Sequence, residues 1–125
     1  MTGYGSNIES LTKNNTFFRK VLFTAKHMQL VVMSLTPKEE IGMETHPHTD
    51  QFIRVESGEG KCKIGDSEYA LTDGVSVIIP AGNKHNVWNT SSSKDLKIYT
   101  IYSPPEHEDG VIHKTKEDAV KDEGH

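Results

Sequence analysis

Residues 74–89 read GVSVIIPAGNKHNVWN, and the reading of this stretch decides the fold. After a turn at Thr72, Asp73 and Gly74, the largely β-branched run Val75, Ser76, Val77, Ile78, Ile79 has the length and composition of a buried strand. Pro80 has no N–H to give to a ladder and ends it. Gly82 and Asn83 tolerate positive φ and reverse the chain. The next strand starts at His85, with His85 and Val87 on one face and Asn86 and Trp88 on the other. With Val75, Val77 and Ile79 facing an apolar interior, His85 is delivered by the tight turn to the rim of that interior. A histidine so placed is a ligand candidate.

Upstream, residues 42–60 read GMETHPHTDQFIRVESGEG. Glu44 and His46 alternate on an extended segment, so both project to one face and both can reach a single ion. Pro47 interrupts the strand and leaves His48 in the loop beyond it, at the entrance, as a further candidate ligand or acid–base group. Gln51, Ile53 and Val55 then share an inner face, and Phe52, Arg54 and Glu56 an outer one. A barrel with a polar group near its mouth and an apolar interior below fits that pattern.

Together these segments resemble the two signatures of the cupin family. The second signature is matched at Gly74, Pro80, Gly82, His85 and Asn89. The first, a His pair followed by Glu and then Gly, is matched with exchanges when it is anchored on Gly58: Glu44 falls at the first His and Gln51 at the Glu. The resemblance implies an all-β double-stranded β-helix, the cupin jelly-roll barrel of the RmlC-like type, and a metal set of Glu44, His46, Gln51 and His85. A rival alignment takes His46 and His48 as the pair and frees Glu44 to be a general base. The chain is also similar to small bacterial and archaeal cupins described as mannose-6-phosphate isomerase-like, through DQF at Asp50 to Phe52 and YSPPEHEDGVIHKTKEDA at Tyr102 to Ala119. The large additional domains of the classical isomerases have no counterpart here.

What such a site implies is one divalent ion, manganese, iron, nickel or zinc, held by imidazole, carboxylate and amide oxygen with positions left open. Lewis-acid chemistry on a small oxygenated, sugar-like or carbonyl substrate follows as the first expectation, of isomerase or lyase type, with Glu44 and His48 as the acid–base candidates. Iron-dependent dioxygen chemistry is the second, and a non-catalytic binding or sensing module the third.

Composition sets the frame for these readings. A chain of 125 residues, 34% hydrophobic, suits one domain with a single core. A net charge of −4 and a pI of about 5.9 offer no basic footprint for nucleic acid. The start, MTGYGSNIESLTKNN, has neither a basic region nor an apolar core of the kind that targets secretion, and no long apolar run follows, so a cytoplasmic protein without a membrane span is expected. Cys62 is the single cysteine, which excludes an internal disulfide and points to core packing.

Along the rest of the chain, strands are expected at Phe17 to Thr24, Gln29 to Leu35, Lys61 to Ile64, Glu68 to Leu71 and Leu96 to Ser103, with almost no helix. The run QLVVMSL at Gln29 to Leu35 is apolar on both faces, so a cover is needed outside as well as inside. A second subunit is the expected cover, in a homodimer that also buries Phe52 and Trp88 and that the strand at Phe17 to Thr24 is a candidate to cross. Pro104 and Pro105 end the sheet. The domain plan is thus an extension at 1–16, a barrel at 17–103 and a polar tail at 104–125, with a short helix around Lys116 to Lys121 capped by Thr115. His107, Glu108, Asp109 and His113 cluster in that tail as an extra metal-ligand candidate, set against a solvated tail with a frayed end as the expected reading.

Overall fold

The computed structural model describes residues 2–123. A helix, α1 (Ile8–Asn14), precedes eight strands: β1 (Arg19–Thr24), β2 (Gln29–Leu35), β3 (Asp50–Ser57), β4 (Gly60–Ile64), β5 (Ser67–Leu71), β6 (Ser76–Ile79), β7 (His85–Asn89) and β8 (Leu96–Ser103). A two-residue strand, β9 (Ile112–His113), and a second helix, α2 (Lys116–Glu123), follow. The strands form a six-stranded sheet in the order β6-β3-β8-β2-β1-β9 and a three-stranded sheet in the order β5-β4-β7. Single bridges Glu40↔Trp88 and Glu44↔His85 lay the segment before β3 along the free edge of β7. The fold is an all-β double-stranded β-helix with two short helices.

The core lies between the sheets and follows from strand alternation. Val31, Met33 and Leu35 of β2 meet Ile53 and Val55 of β3, Leu96 and Ile98 of β8, and Cys62 and Val87 from the smaller sheet, all at 0–1% exposure. Each such side chain contributes about 1.5–3 kcal/mol by leaving water. Cys62 is therefore a core residue, as expected, and burial pushes its thiol up to about 11, away from nucleophilic use. Val77 and Ile79 face this core from β6, while Ser76 and Ile78 face outward, Ile78 at 65% exposure. The run read as a buried strand is thus an edge strand, covered on its inner face only.

α1 was not legible as an element, and it supplies the outer cover expected from a second subunit over part of β2. Asn7 caps it by accepting from the Ser10 N–H at 3.0 Å, Glu9 and Lys13 pair one turn apart at 3.2 Å, and Thr12 is fully buried. The helix packs on β2, β3 and β8, where Val32 and Ser34 on the outward face of β2 are buried. Lys97 Nζ ties this layer together by donating to Ser34 Oγ at 2.9 Å and to the Asn15 carbonyl at 2.6 Å. β1 pairs with β2 of its own chain, and no crossing is needed to complete the sheet.

The described part of the tail, residues 104–123, is not solvated throughout, contrary to expectation. β9 pairs with β1, His113 is 6% exposed, Ala119 is 2% exposed and belongs to the core, and Val111 packs against it. Val111 and Ala119 are the apolar residues that a polar average conceals. The helix at Lys116 and its cap did form as read, with Thr115 Oγ1 accepting from the Asp118 N–H at 3.2 Å. The end expected to fray, from Gly124, lies outside the described residues. Among the described residues no helix is long and apolar enough to cross a membrane.

Candidate metal centre

The turn that delivers His85 is fixed from both sides. Gly82, at φ +85°, donates its N–H to the His46 carbonyl at 2.9 Å, and Asp50 Oδ1 accepts from the Ala81 N–H at 2.8 Å. Glu44 and His85 exchange both backbone hydrogen bonds, at 2.8 and 2.9 Å, so their side chains rise from directly opposed positions. His46, two along from Glu44, joins them on that face. The carboxylate and the two imidazoles each present one ligand atom, and those atoms lie within 4.8 Å of one another. Metal bonds of about 2.0–2.2 Å hold ligand atoms about 3–4 Å apart, so a small closure of side chains seats one ion.

The hydrogen bonds made by these residues decide which atoms face the site. Nδ1 of His85 lies 2.9 Å from the Asn83 carbonyl, which leaves Nε2 as the free ring atom. Burial lowers the His85 pKa, the Asn83 carbonyl works against that shift, and nearby His46 adds to it, so the ring is neutral and its lone pair available. Nε2 of His46 lies 4.0 Å from Glu44 Oε1. Gln51 on β3, paired with Tyr102 of β8, donates from Nε2 to Thr100 Oγ1 at 3.1 Å and so exposes its Oε1. Nε2 of His46, Nε2 of His85 and Oε1 of Gln51 are all buried with no hydrogen-bond partner. Buried polar atoms without partners are costly, and the donor atoms of these three side chains are compatible with holding a metal ion.

Of the residues singled out from sequence, Glu44, His46 and His85 are brought together, and Gln51 lies at the same end of the barrel, beside Tyr102. His48 is exposed in the loop before β3 and stands outside the cluster. Tyr102 and Glu106, also at this end, escaped sequence reasoning as site residues. Glu106 Oε1 lies 3.3 Å from Nδ1 of His46. The Tyr102 ring stands edge-on to His46 at 5.9 Å and to His107 at 5.1 Å. His107 has its pKa pushed down to about 3, first by burial and then by the charges of Arg19, His46 and His113, with Asp122 opposing. Beneath, Nη1 of the buried Arg19 is 3.3 Å from Nδ1 of the buried His113, whose Nε2 is 2.9 Å from Oδ2 of the exposed Asp122. His107 and His113 therefore line the interior, and the tail histidines do not form a separate ligand cluster with Glu108 and Asp109, which are exposed.

Residues 31–102, which run from β2 to β8 and include every residue of the cluster, match the Cupin domain family. The chain belongs to the cupin family. This cupin is 47% identical over 120 residues to the uncharacterised protein YrkC of Bacillus subtilis (strain 168), a match that covers 91% of the chain and 64% of YrkC. It therefore spans less than two thirds of that relative. It is 45% identical over 112 residues to the uncharacterised protein L612 of Acanthamoeba polyphaga mimivirus, covering 87% of the chain and 70% of L612. The crystal structure of BH2720 from Bacillus halodurans is similar throughout, with a TM-score of 0.93, 42% identity, and coverage of 96% of this chain and 95% of that one.

Proposed function

We propose that this cupin holds one divalent metal ion among Glu44, His46 and His85, with the Gln51 carboxamide oxygen completing the set, and uses it on a small oxygenated substrate. The observation that carries the reading is the trio of buried lone pairs without partners, on His46, His85 and Gln51, beside the Glu44 carboxylate. Soft thiolate is absent and the donors are imidazole, carboxylate and amide oxygen, a mixture that suits manganese, iron, nickel or zinc. When bound, the ion supplies Lewis-acid polarisation of a carbonyl or hydroxyl oxygen.

The protein's own groups do the rest. Asn83 and Glu106 orient the imidazoles, Thr100 fixes the amide, and the Tyr102 and His107 rings narrow the mouth to small molecules. A cavity of about 20 Å³ reaches Glu44 from the side of α2 and has room for about one water, too little for a substrate to enter on that side. Isomerase or lyase chemistry on a sugar-like or carbonyl compound is the reaction class proposed, in keeping with the resemblance to mannose-6-phosphate isomerase-like cupins. The test is elemental analysis of the purified protein, followed by carbonyl-isomerisation and oxygen-consumption screens of the metal-loaded form. Stoichiometric metal with isomerisation supports the proposal. Oxygen consumption replaces it with dioxygen chemistry, metal without turnover replaces it with a binding role, and absence of metal binding overturns it.

A further inference from the structure

The segment after β8 does not leave the barrel. It is pinned back across the mouth by Gln29 of β2, a side chain that is fully buried. Gln29 Oε1 accepts from the backbone N–H of Glu106 at 3.2 Å and of His107 at 3.0 Å. Its Nε2 donates to the His107 carbonyl at 2.7 Å and to Thr24 Oγ1 at 2.9 Å. Ser103 Oγ adds a hydrogen bond to the His27 carbonyl at 2.7 Å. One amide therefore uses both its ends to fix the backbone of two consecutive residues, and the first of them is Glu106, whose carboxylate sits 3.3 Å from Nδ1 of His46.

We infer that Glu106 is a positioning residue of the metal centre, acting through His46, and that Gln29 is the clamp that holds it in place. The inference rests on the ion proposed at Glu44, His46 and His85, and it concerns a residue beyond the matched family segment of 31–102. The ring nitrogens of imidazole point to opposite sides, so a group on Nδ1 cannot share an ion held at Nε2. What it does is settle the ring. A carboxylate at Nδ1 favours the proton there, leaves the lone pair on Nε2, fixes the ring plane and makes the nitrogen more basic toward a metal. His85 receives the same service from the Asn83 carbonyl, so each imidazole has its own oxygen partner on the far side. A stabilising ion pair is the competing account. The Glu106 side chain keeps 31% exposure, and pairs at such a rim contribute only about 0–1 kcal/mol, which does not call for a clamp built on a fully buried amide.

The test uses the full chain and Co(II), whose visible spectrum reports ligand geometry. Glu106→Ala is expected to weaken Co(II) binding by about 10- to 100-fold and to alter the spectrum. Glu106→Gln, which keeps an oxygen acceptor without the charge, is expected to lie between Ala and wild type. Gln29→Ala is expected to resemble Glu106→Ala, whereas Glu108→Gln, a neighbouring exposed carboxylate, should bind as wild type does. The Tm of the metal-free Glu106 variants should be unchanged. Unaltered Co(II) affinity and spectrum in both Glu106 variants overturn the inference, and so does a loss of affinity matched by a fall in the metal-free Tm. Should the alanine variants not fold, Glu106→Gln decides alone. A wild type that takes up no Co(II) removes the ion itself, and the inference with it, an outcome distinct from a wild type that binds and variants that bind equally.

Discussion

The Gln51 carboxamide donates from Nε2 to Thr100 Oγ1 at 3.1 Å, and this one bond decides which end of the amide is left for an ion. Both residues are buried, at 4% and 0% exposure, so neither can turn to water instead. Thr100→Val should therefore lower metal affinity by releasing the amide to rotate, and should cost about 1–3 kcal/mol of stability from the unpartnered N–H. Denaturant titration of the metal-free protein reads the second effect and elemental analysis the first. Unchanged values in both would remove Thr100 from the site.

Gln51→Glu puts a carboxylate at the position that the resemblance to the first cupin signature assigns to Glu. Metal binding should hold or tighten, since a charged oxygen replaces a neutral one, while turnover on an anionic substrate should fall. Weaker metal binding would place Gln51 outside the ligand set.

Alanine substitution of the ligands should separate the two alignments. His46→Ala and His85→Ala should each abolish metal retention, Glu44→Ala should weaken it strongly, and His48→Ala, at an exposed loop position, should spare it. Metal lost in His48→Ala and kept in Glu44→Ala would revive the pairing of His46 with His48.

Acid should destabilise the metal-free protein over a defined window. His85 and His107 both have pKa values below 6.5, chiefly from burial, with His107 at about 3. The unfolded chain takes up protons at these groups near 6.5, and the folded chain does so only at lower pH. Their contribution is thus whole above 6.5 and is lost as pH falls toward 3, with a slope of at most about 1.4 kcal/mol per pH unit for each group. Denaturant unfolding at several pH values in the presence of chelator measures it, and a flat profile between pH 6.5 and 4.5 would contradict the burial of both rings.

The outer face of the large sheet carries a row of apolar side chains in register, Ile78, Phe52, Ile101, Leu30 and Phe23, each directly opposite the next, and Tyr4 stacks on Phe23 at 5.2 Å. α1 covers Val32 but leaves this row open. A twofold dimer through it is the expected assembly, and Leu30→Lys or Ile101→Lys should yield monomers. A monodisperse wild-type monomer in light scattering at micromolar concentration would refute it.

The strands were legible because their chemistry is local. β2 is a largely apolar run, and His85 to Asn89 alternates between a turn at Gly82 and Asn83 and a polar loop. Gly58, the anchor of the alignment, has φ +104°, and a Cβ there would sit 2.5 Å from the Asp95 carbonyl oxygen, so the signature glycine answers to a physical need. Glu44 and His46 were legible from the resemblance to the first cupin signature anchored on Gly58, with alternation putting both on one face. α1 was not, since IESLTKN shows no apolar stripe and its helicity depends on a cap and on Thr12 burying against the sheet. Glu106 was not legible either. Its partner lies on the far side of the barrel in sequence, and only the pairing of β8 with β2 and β3 brings them together.

The Gln29 clamp bears on how the molecule opens. The amides of Glu106 and His107 belong to no strand, yet both are held by a side chain at the start of β2, deep in the large sheet. In hydrogen exchange such amides report the opening of the unit that holds their acceptor, so this irregular segment shares the protection of the central strands. The placement of Glu106 beside His46 should therefore persist for as long as the central strands stay closed, a property of the whole fold and not of a loop.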